Sequence, residues 1–109
     1  MPILYGLKNC DSCRNASKAL RAAGREVTFR DVRDDPLDEE AISRFLEIFG
    51  DRLLNTRSTT WKGLSEAERG RSPVDLLADY PALMKRPVID DDGKLTLGWD
   101  ESVQSLHLG

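Results

Sequence analysis

A chain of 109 residues has room for one hydrophobic core and too little for two. With 39% apolar residues, 32% charged residues and a net charge of −3, it reads as a soluble folded protein. That sets aside wholesale disorder and nucleic-acid binding by bulk charge. No run of 18 apolar residues is present and no signal-peptide pattern opens the chain. A cytoplasmic protein with no direct nucleic-acid or membrane partner is therefore expected.

The first element is a short apolar run, Ile3-Leu4-Tyr5, which reads as a strand. A helical pattern follows, with Ala16, Leu20 and Ala23 on one side and Gly24 as its stop. Between them lies Gly6-Leu7-Lys8-Asn9-Cys10-Asp11-Ser12-Cys13-Arg14, which holds both cysteines of the chain. The pair thus sits where a strand ends and a helix begins. The unpaired N–H groups and the dipole of a helix N-terminus stabilise a thiolate, and Lys8 and Arg14 add positive charge on either side. A thiolate is the nucleophilic form of cysteine, so sulfur chemistry is expected here.

Val27-Thr28-Phe29, alternating toward Val32, reads as a second strand. Asp35 is the expected cap of the next helix, with Pro36 at its first position. Ile42, Phe45, Leu46 and Phe49 form its apolar face, and Gly50 ends it. A short turn of helix over 52–54 leads to a polar loop, residues 55–61, closed by Trp61. Ser65-Glu66-Ala67-Glu68 is a capping box, and Ser72-Pro73 starts a further helix that Pro81 interrupts. Arg86-Pro87 ends the helical stretch. Val88-Ile89-Asp90 and Lys94-Leu95-Thr96-Leu97 flank Asp91-Asp92-Gly93 as a β-hairpin, and a last helix covers 101–108. The order β-α-β, helices, β-β-α is that of an α/β thioredoxin-like fold: one domain over 1–109 with a helical insertion at about 37–84.

Read from the residues, Cys10 is a nucleophile. Cys13, one helical turn on, is either the thiol that resolves a mixed disulfide or a core residue continuing the face of Ala16 and Leu20. Zinc is disfavoured, because it needs four ligands and the chain offers one histidine, His107, read as a surface residue. No metal and no bound cofactor are expected. Trp61 and Trp99 read as packing residues, and Asp90-Asp91-Asp92 as a turn rather than a metal site.

Three stretches carry a family resemblance. Residues 5–14, quoted above, resemble the active-site segment of the arsenate reductase (ArsC)-like family, which includes the Spx regulators and the YffB-type proteins. Leu53-Leu54-Asn55-Thr56-Arg57-Ser58-Thr59-Thr60-Trp61 resembles the middle loop of the YffB and Spx branches, and Leu83-Met84-Lys85-Arg86-Pro87-Val88-Ile89 the Arg-Pro stretch found across the family. The resemblance implies a thioredoxin-like domain in which Cys10 is the nucleophile and Pro87 a cis-proline facing the cysteine loop. It implies that Arg86 binds anions beside the sulfur, with Arg57, Lys8 and Asn9 as further candidates for substrate or anion binding. For Arg57 that role and a solvated loop position stand about even. Arsenate reductases carry another arginine after a glycine in the last strand, where this chain has Gly98-Trp99. An aromatic cannot neutralise an oxyanion, so arsenate ranks below disulfides as substrate.

The expected activity is that of a thiol–disulfide oxidoreductase acting as a monomer. Glutathione is its co-substrate, and a small thiol, a disulfide or a protein disulfide its partner. The alternatives are an Spx-like redox-sensing regulator that binds RNA polymerase and, below it, an arsenate reductase.

Overall fold

The structure, a computed structural model, describes residues 1–108. The chain forms two compact units: Met1–Asp31 together with the segment from Arg86 onward, and the intervening Val32–Lys85.

The first unit is a four-stranded sheet in the order β2-β1-β3-β4. Strand β1 (Ile3–Gly6) pairs parallel with β2 (Thr28–Asp31) and antiparallel with β3 (Val88–Asp91), which pairs antiparallel with β4 (Lys94–Leu97). With helix α1 (Asp11–Ala22) between β1 and β2, this is a thioredoxin-like fold. Both edges of β1 are paired, so its residues from Leu4 onward are buried. Strand β2 runs one residue later than Val27-Thr28-Phe29 suggested, because Leu4 takes Phe29 as partner and Gly6 reaches Asp31. Helix α1 buries Cys13, Ala16, Ser17 and Leu20, the i, i+3, i+4, i+7 face. Leu4, Cys13, Ala16, Leu20 and Ile89 make the core cluster, with Val27, Phe29 and Trp99 packed against it.

The β3–β4 hairpin turns on Asp92 and Gly93, with φ of 53° and 91°. Two successive left-handed residues define the tight turn whose twist matches its strands, and an Asp-Gly pair supplies them at low cost. The Asp90 carboxylate accepts the Gly93 N–H at 2.8 Å and holds the loop.

The second unit holds helices α2 (Glu39–Phe49), α3 (Thr59–Lys62), α4 (Glu66–Arg69) and α5 (Pro73–Asp79). Helix α2 buries Ile42, Phe45 and Phe49 as its periodicity requires, but its cap is Asp38, not Asp35. The Asp38 carboxylate accepts the Ala41 N–H at 2.8 Å, and Glu39 and Glu40 then occupy the first turn, where the helix dipole favours acid. Trp61 lies inside α3, which Ser58 caps, and not at the end of a loop. Ser65 caps α4 and Ser72 caps α5, with Pro73 at its first position. Asn55 N–H to Leu83 carbonyl (2.8 Å) and Lys85 N–H to Leu53 carbonyl (2.7 Å) close the unit on itself. Among the described residues no helix is long and apolar enough to cross a membrane.

Candidate active site

The turn after β1 places the cysteines. The Cys10 N–H reaches back to the Leu7 carbonyl (3.1 Å), and the Lys8 N–H donates to the Asp31 carboxylate (2.8 Å), which ties the turn to the end of β2. Cys10 is the N-cap residue of α1, in extended backbone conformation. Its thiol is partly exposed, whereas Cys13 in the first turn is fully buried, and both are free thiols.

Burial pushes the Cys10 thiol up, but four interactions more than offset it. The Cys13 backbone N–H, the Arg86 side chain and the Cys13 thiol all hydrogen-bond its sulfur, and the Arg86 charge adds to them. The net result is a Cys10 pKa below the ordinary thiol value. Burial drives Cys13 the other way, to about 12, and the neighbouring Cys10 adds to that shift. One sulfur is thus set up to be a thiolate and the other to keep its proton and donate it in a hydrogen bond.

The positive charge on Cys10 comes from Arg86, the residue the resemblance puts beside the sulfur, and not from its sequence neighbours Lys8 and Arg14. Arg14 is engaged in an ion pair with Asp11, and the cation acting on Cys10 is Arg86. Arg86 is half-buried, with its Nε fully buried, and precedes Pro87 through a cis peptide bond. The Pro87 carbonyl accepts the Gly98 N–H at 2.8 Å, which fastens this segment to the residue after β4. The first unit therefore brings Cys10, Cys13 and Arg86 together, with Pro87 next in the chain. Lys8 and Asn9 are exposed in the turn before Cys10. Arg57 is exposed in the second unit, where its backbone N–H bonds the Asn55 side chain at 3.2 Å. Among the described residues no group of three His, Cys, Asp or Glu side chains gathers to hold a metal.

Gly6 limits what can surround Cys13. A Cβ built on it would overlap the Cys13 sulfur. The strand end and the first turn of α1 are in direct contact there, and the sulfur fills the space a methyl would need. A Gly6→Ala change is expected to displace Cys13, cost roughly 1–3 kcal/mol as overpacking does, and raise the Cys10 pKa by weakening the bond between the two sulfurs. Urea unfolding and the pH dependence of Cys10 alkylation check both effects.

A polar network in the same unit was not visible in the sequence. His107 is not a surface residue: it is 4% exposed, on the inner face of α6 (Glu101–Leu108) with Val103. Its Nδ1 meets the Asp91 carboxylate at 3.1 Å and its Nε2 the Thr96 hydroxyl at 2.7 Å. Both ring nitrogens have partners, so burial costs little. Arg25 forks onto the same carboxylate at 2.7 and 2.9 Å and also donates to the His107 carbonyl at 3.2 Å. These bonds hold Asp91 down at a pKa of about 2, the Arg25 contact contributing most. Trp99 stacks over the His107 ring, 6.4 Å between centroids and 15° from parallel. The tryptophan after Gly98 is thus a packing residue.

The ArsC family model matches residues 5–105. An uncharacterized protein of Haemophilus influenzae is 39% identical over 106 residues, 93% of each chain. The global transcriptional regulator Spx 1 of Bacillus cereus is 32% identical over 107 residues, covering 93% of this chain and 82% of that one. Among solved structures, a YffB protein superposes with a TM-score of 0.91 at 26% identity over the whole of both chains. A glutaredoxin from Archaeoglobus fulgidus, 18% identical with a TM-score of 0.52 over 99% of this chain and 86% of that one, shares the fold.

Proposed function

This chain belongs to the ArsC family, and we propose that within it the protein is a glutathione-linked thiol–disulfide oxidoreductase with Cys10 as nucleophile. The observation that carries this reading is the division of labour between the two sulfurs: Cys10 is partly exposed and lowered, while Cys13 is buried and raised. The Cys10 thiolate attacks one sulfur of a disulfide R–S–S–R′, forms Cys10–S–S–R and releases R′S⁻, which takes a proton from water. Cys13 gives its proton to solvent and attacks the Cys10 sulfur. RS⁻ departs, and a Cys10–Cys13 disulfide remains. Two molecules of a glutathione-class thiol return the pair to the dithiol and become their own disulfide.

Arg86 serves the first step twice: it lowers the thiolate and offers a planar fork to a substrate carboxylate. An Arg86→Ala change is expected to raise the Cys10 pKa and weaken kcat/KM for glutathione mixed disulfides by about 10- to 100-fold, the loss of one charged hydrogen bond of roughly 1.5–3 kcal/mol. Unchanged kinetics in that variant would remove Arg86 from the site.

Arsenate asks for more. Its oxyanion needs several fixed cations near the sulfur, whereas Arg86 is the cation acting on Cys10 and Trp99 is committed to packing. A glutathione-coupled assay comparing arsenate with a small mixed disulfide tests the ranking, and robust arsenate turnover without disulfide activity would reverse it. The Spx relatives favour a second reading, a redox-sensing regulator that binds RNA polymerase and uses the cysteine pair as its switch. Capture of RNA polymerase with no turnover of either substrate would put that reading first.

A further inference from the structure

The first unit carries an open groove of about 480 Å³ along α1, lined by Lys8, Arg14, Ser17, Lys18, Arg21 and Phe29. Arg14, Lys18 and Arg21 stand at i, i+4 and i+7 of α1 and share one face of the helix. Lys8 comes from the turn before Cys10. Phe29, half-buried on the core cluster, gives the groove an apolar patch.

Arg21 in the last turn suits the helix dipole, but that does not account for Lys8 and Lys18. Arg14 and Lys18 are like charges one turn apart, which weakens a helix slightly. The chain has 19 acidic and 16 basic residues, so four cations around one groove run against its overall balance. Arg14 is paired with Asp11 on the exposed surface, and Arg21 donates to the Val27 carbonyl at 3.5 Å. Neither contact is buried, and with the Asp31 carboxylate on the Lys8 N–H two carboxylates stand against four cations, which leaves the lining net positive.

We propose that the groove docks an acidic polypeptide segment of the protein whose disulfide Cys10 attacks. This rests on the oxidoreductase reading and adds a substrate class to it. The lining includes Lys8, two residues before the nucleophile, and continues along α1, so a bound segment would lie along the helix that Cys10 caps. Arg14 and Arg21 are about 10 Å apart along the helix axis, a span that an extended chain covers in about three residues. A short run of Asp or Glu side chains therefore matches the cations in number and reach, with an apolar side chain on Phe29. A long polyanion is a poorer fit, because a chain of net charge −3 repels it away from the groove, while a short peptide feels only the field within about 8–10 Å.

The test uses the full chain and a Lys18→Glu, Arg21→Glu double variant, whose fold circular dichroism verifies. Two peptides carry the same glutathione mixed disulfide, one flanked by Asp and Glu and the other by Asn and Gln. The native protein is expected to prefer the acidic peptide roughly 5- to 10-fold in kcat/KM, with the preference shrinking as salt rises. The double variant should lose the preference and still turn over a small uncharged disulfide at the native rate. Anisotropy of a labelled acidic peptide without a thiol reads docking apart from chemistry. Equal kcat/KM for the two peptides, with no anisotropy change, overturns the docking surface. A single-stranded oligonucleotide that binds more tightly than the acidic peptide overturns the choice of partner. Failure of the native protein to turn over any disulfide, with peptide binding intact, overturns the reading beneath it and leaves the groove standing.

Discussion

Replacing Cys10 by alanine is expected to abolish disulfide turnover, by a factor on the order of 10³ or more, as loss of a covalent nucleophile does. Cys13→Ala should behave differently. It removes the hydrogen bond from the buried thiol, so the Cys10 pKa should rise, and it should trap Cys10 as a stable mixed disulfide with its substrate. The pH dependence follows from the direction of the shifts. Cys10 reacts as a thiolate, so its alkylation rate should fall as pH drops through its own pKa, with a midpoint below that of an ordinary free thiol. Cys13 should stay unreactive over the same range. A Cys10 midpoint at the free-thiol value, or equal labelling of the two cysteines, would count against the assignment.

The largest effect on stability is expected at Asp91, which no catalytic reading singles out. Its side chain is 13% exposed and holds Arg25 and His107 at once. Asp91→Ala leaves the Arg25 guanidinium and the buried His107 Nδ1 without their shared acceptor. The expected loss is about 3 kcal/mol at pH 7, at the low end for breaking a buried pair because Arg25 is 31% exposed. The acid limb should change as well. A carboxylate with an ordinary pKa of 3.8, held at about 2 in the folded state, contributes stability that is complete above 3.8 and lost as pH falls toward 2. Urea unfolding at pH 7 and near pH 2 should show the native protein and the variant far apart at the first pH and converging at the second. Equal midpoints at pH 7 would mean that the network adds nothing.

The legible parts of the molecule were those whose signals are local. A strand, two cysteines and a helical face within twenty residues placed the thiol pair at a helix start. Asp92-Gly93 announced a tight hairpin, and the Ile42, Phe45, Phe49 spacing announced the buried face of α2. Where two local signals compete, the sequence misleads: Asp35 and Asp38 can both cap, and the favourable first turn of Glu39 and Glu40 belongs to Asp38. The second kind of failure was long-range. Arg25 and Asp91 are 66 residues apart, and Arg25 and the His107 carbonyl 82. No spacing rule links them, and a lone histidine near the end of a chain looks like surface. Arg86 falls between these cases. Nothing local ties it to Cys10, and only the family resemblance points there, whereas Lys8 and Arg14 are near it in sequence alone.

Strand β1 lies inside the sheet, yet one of its two partners is made of residues more than eighty positions downstream. During synthesis the cysteine turn emerges early, with β2 available to it and β3 still to come. Until Arg86 arrives and Val88 to Asp90 zip onto β1, the Cys10 sulfur lacks the guanidinium that lowers it. A nascent chain therefore carries a Cys10 thiol that lacks the part of its shift supplied by Arg86 and keeps the part supplied by Cys13. The Arg86 share of its reactivity waits on the pairing of β3 with β1.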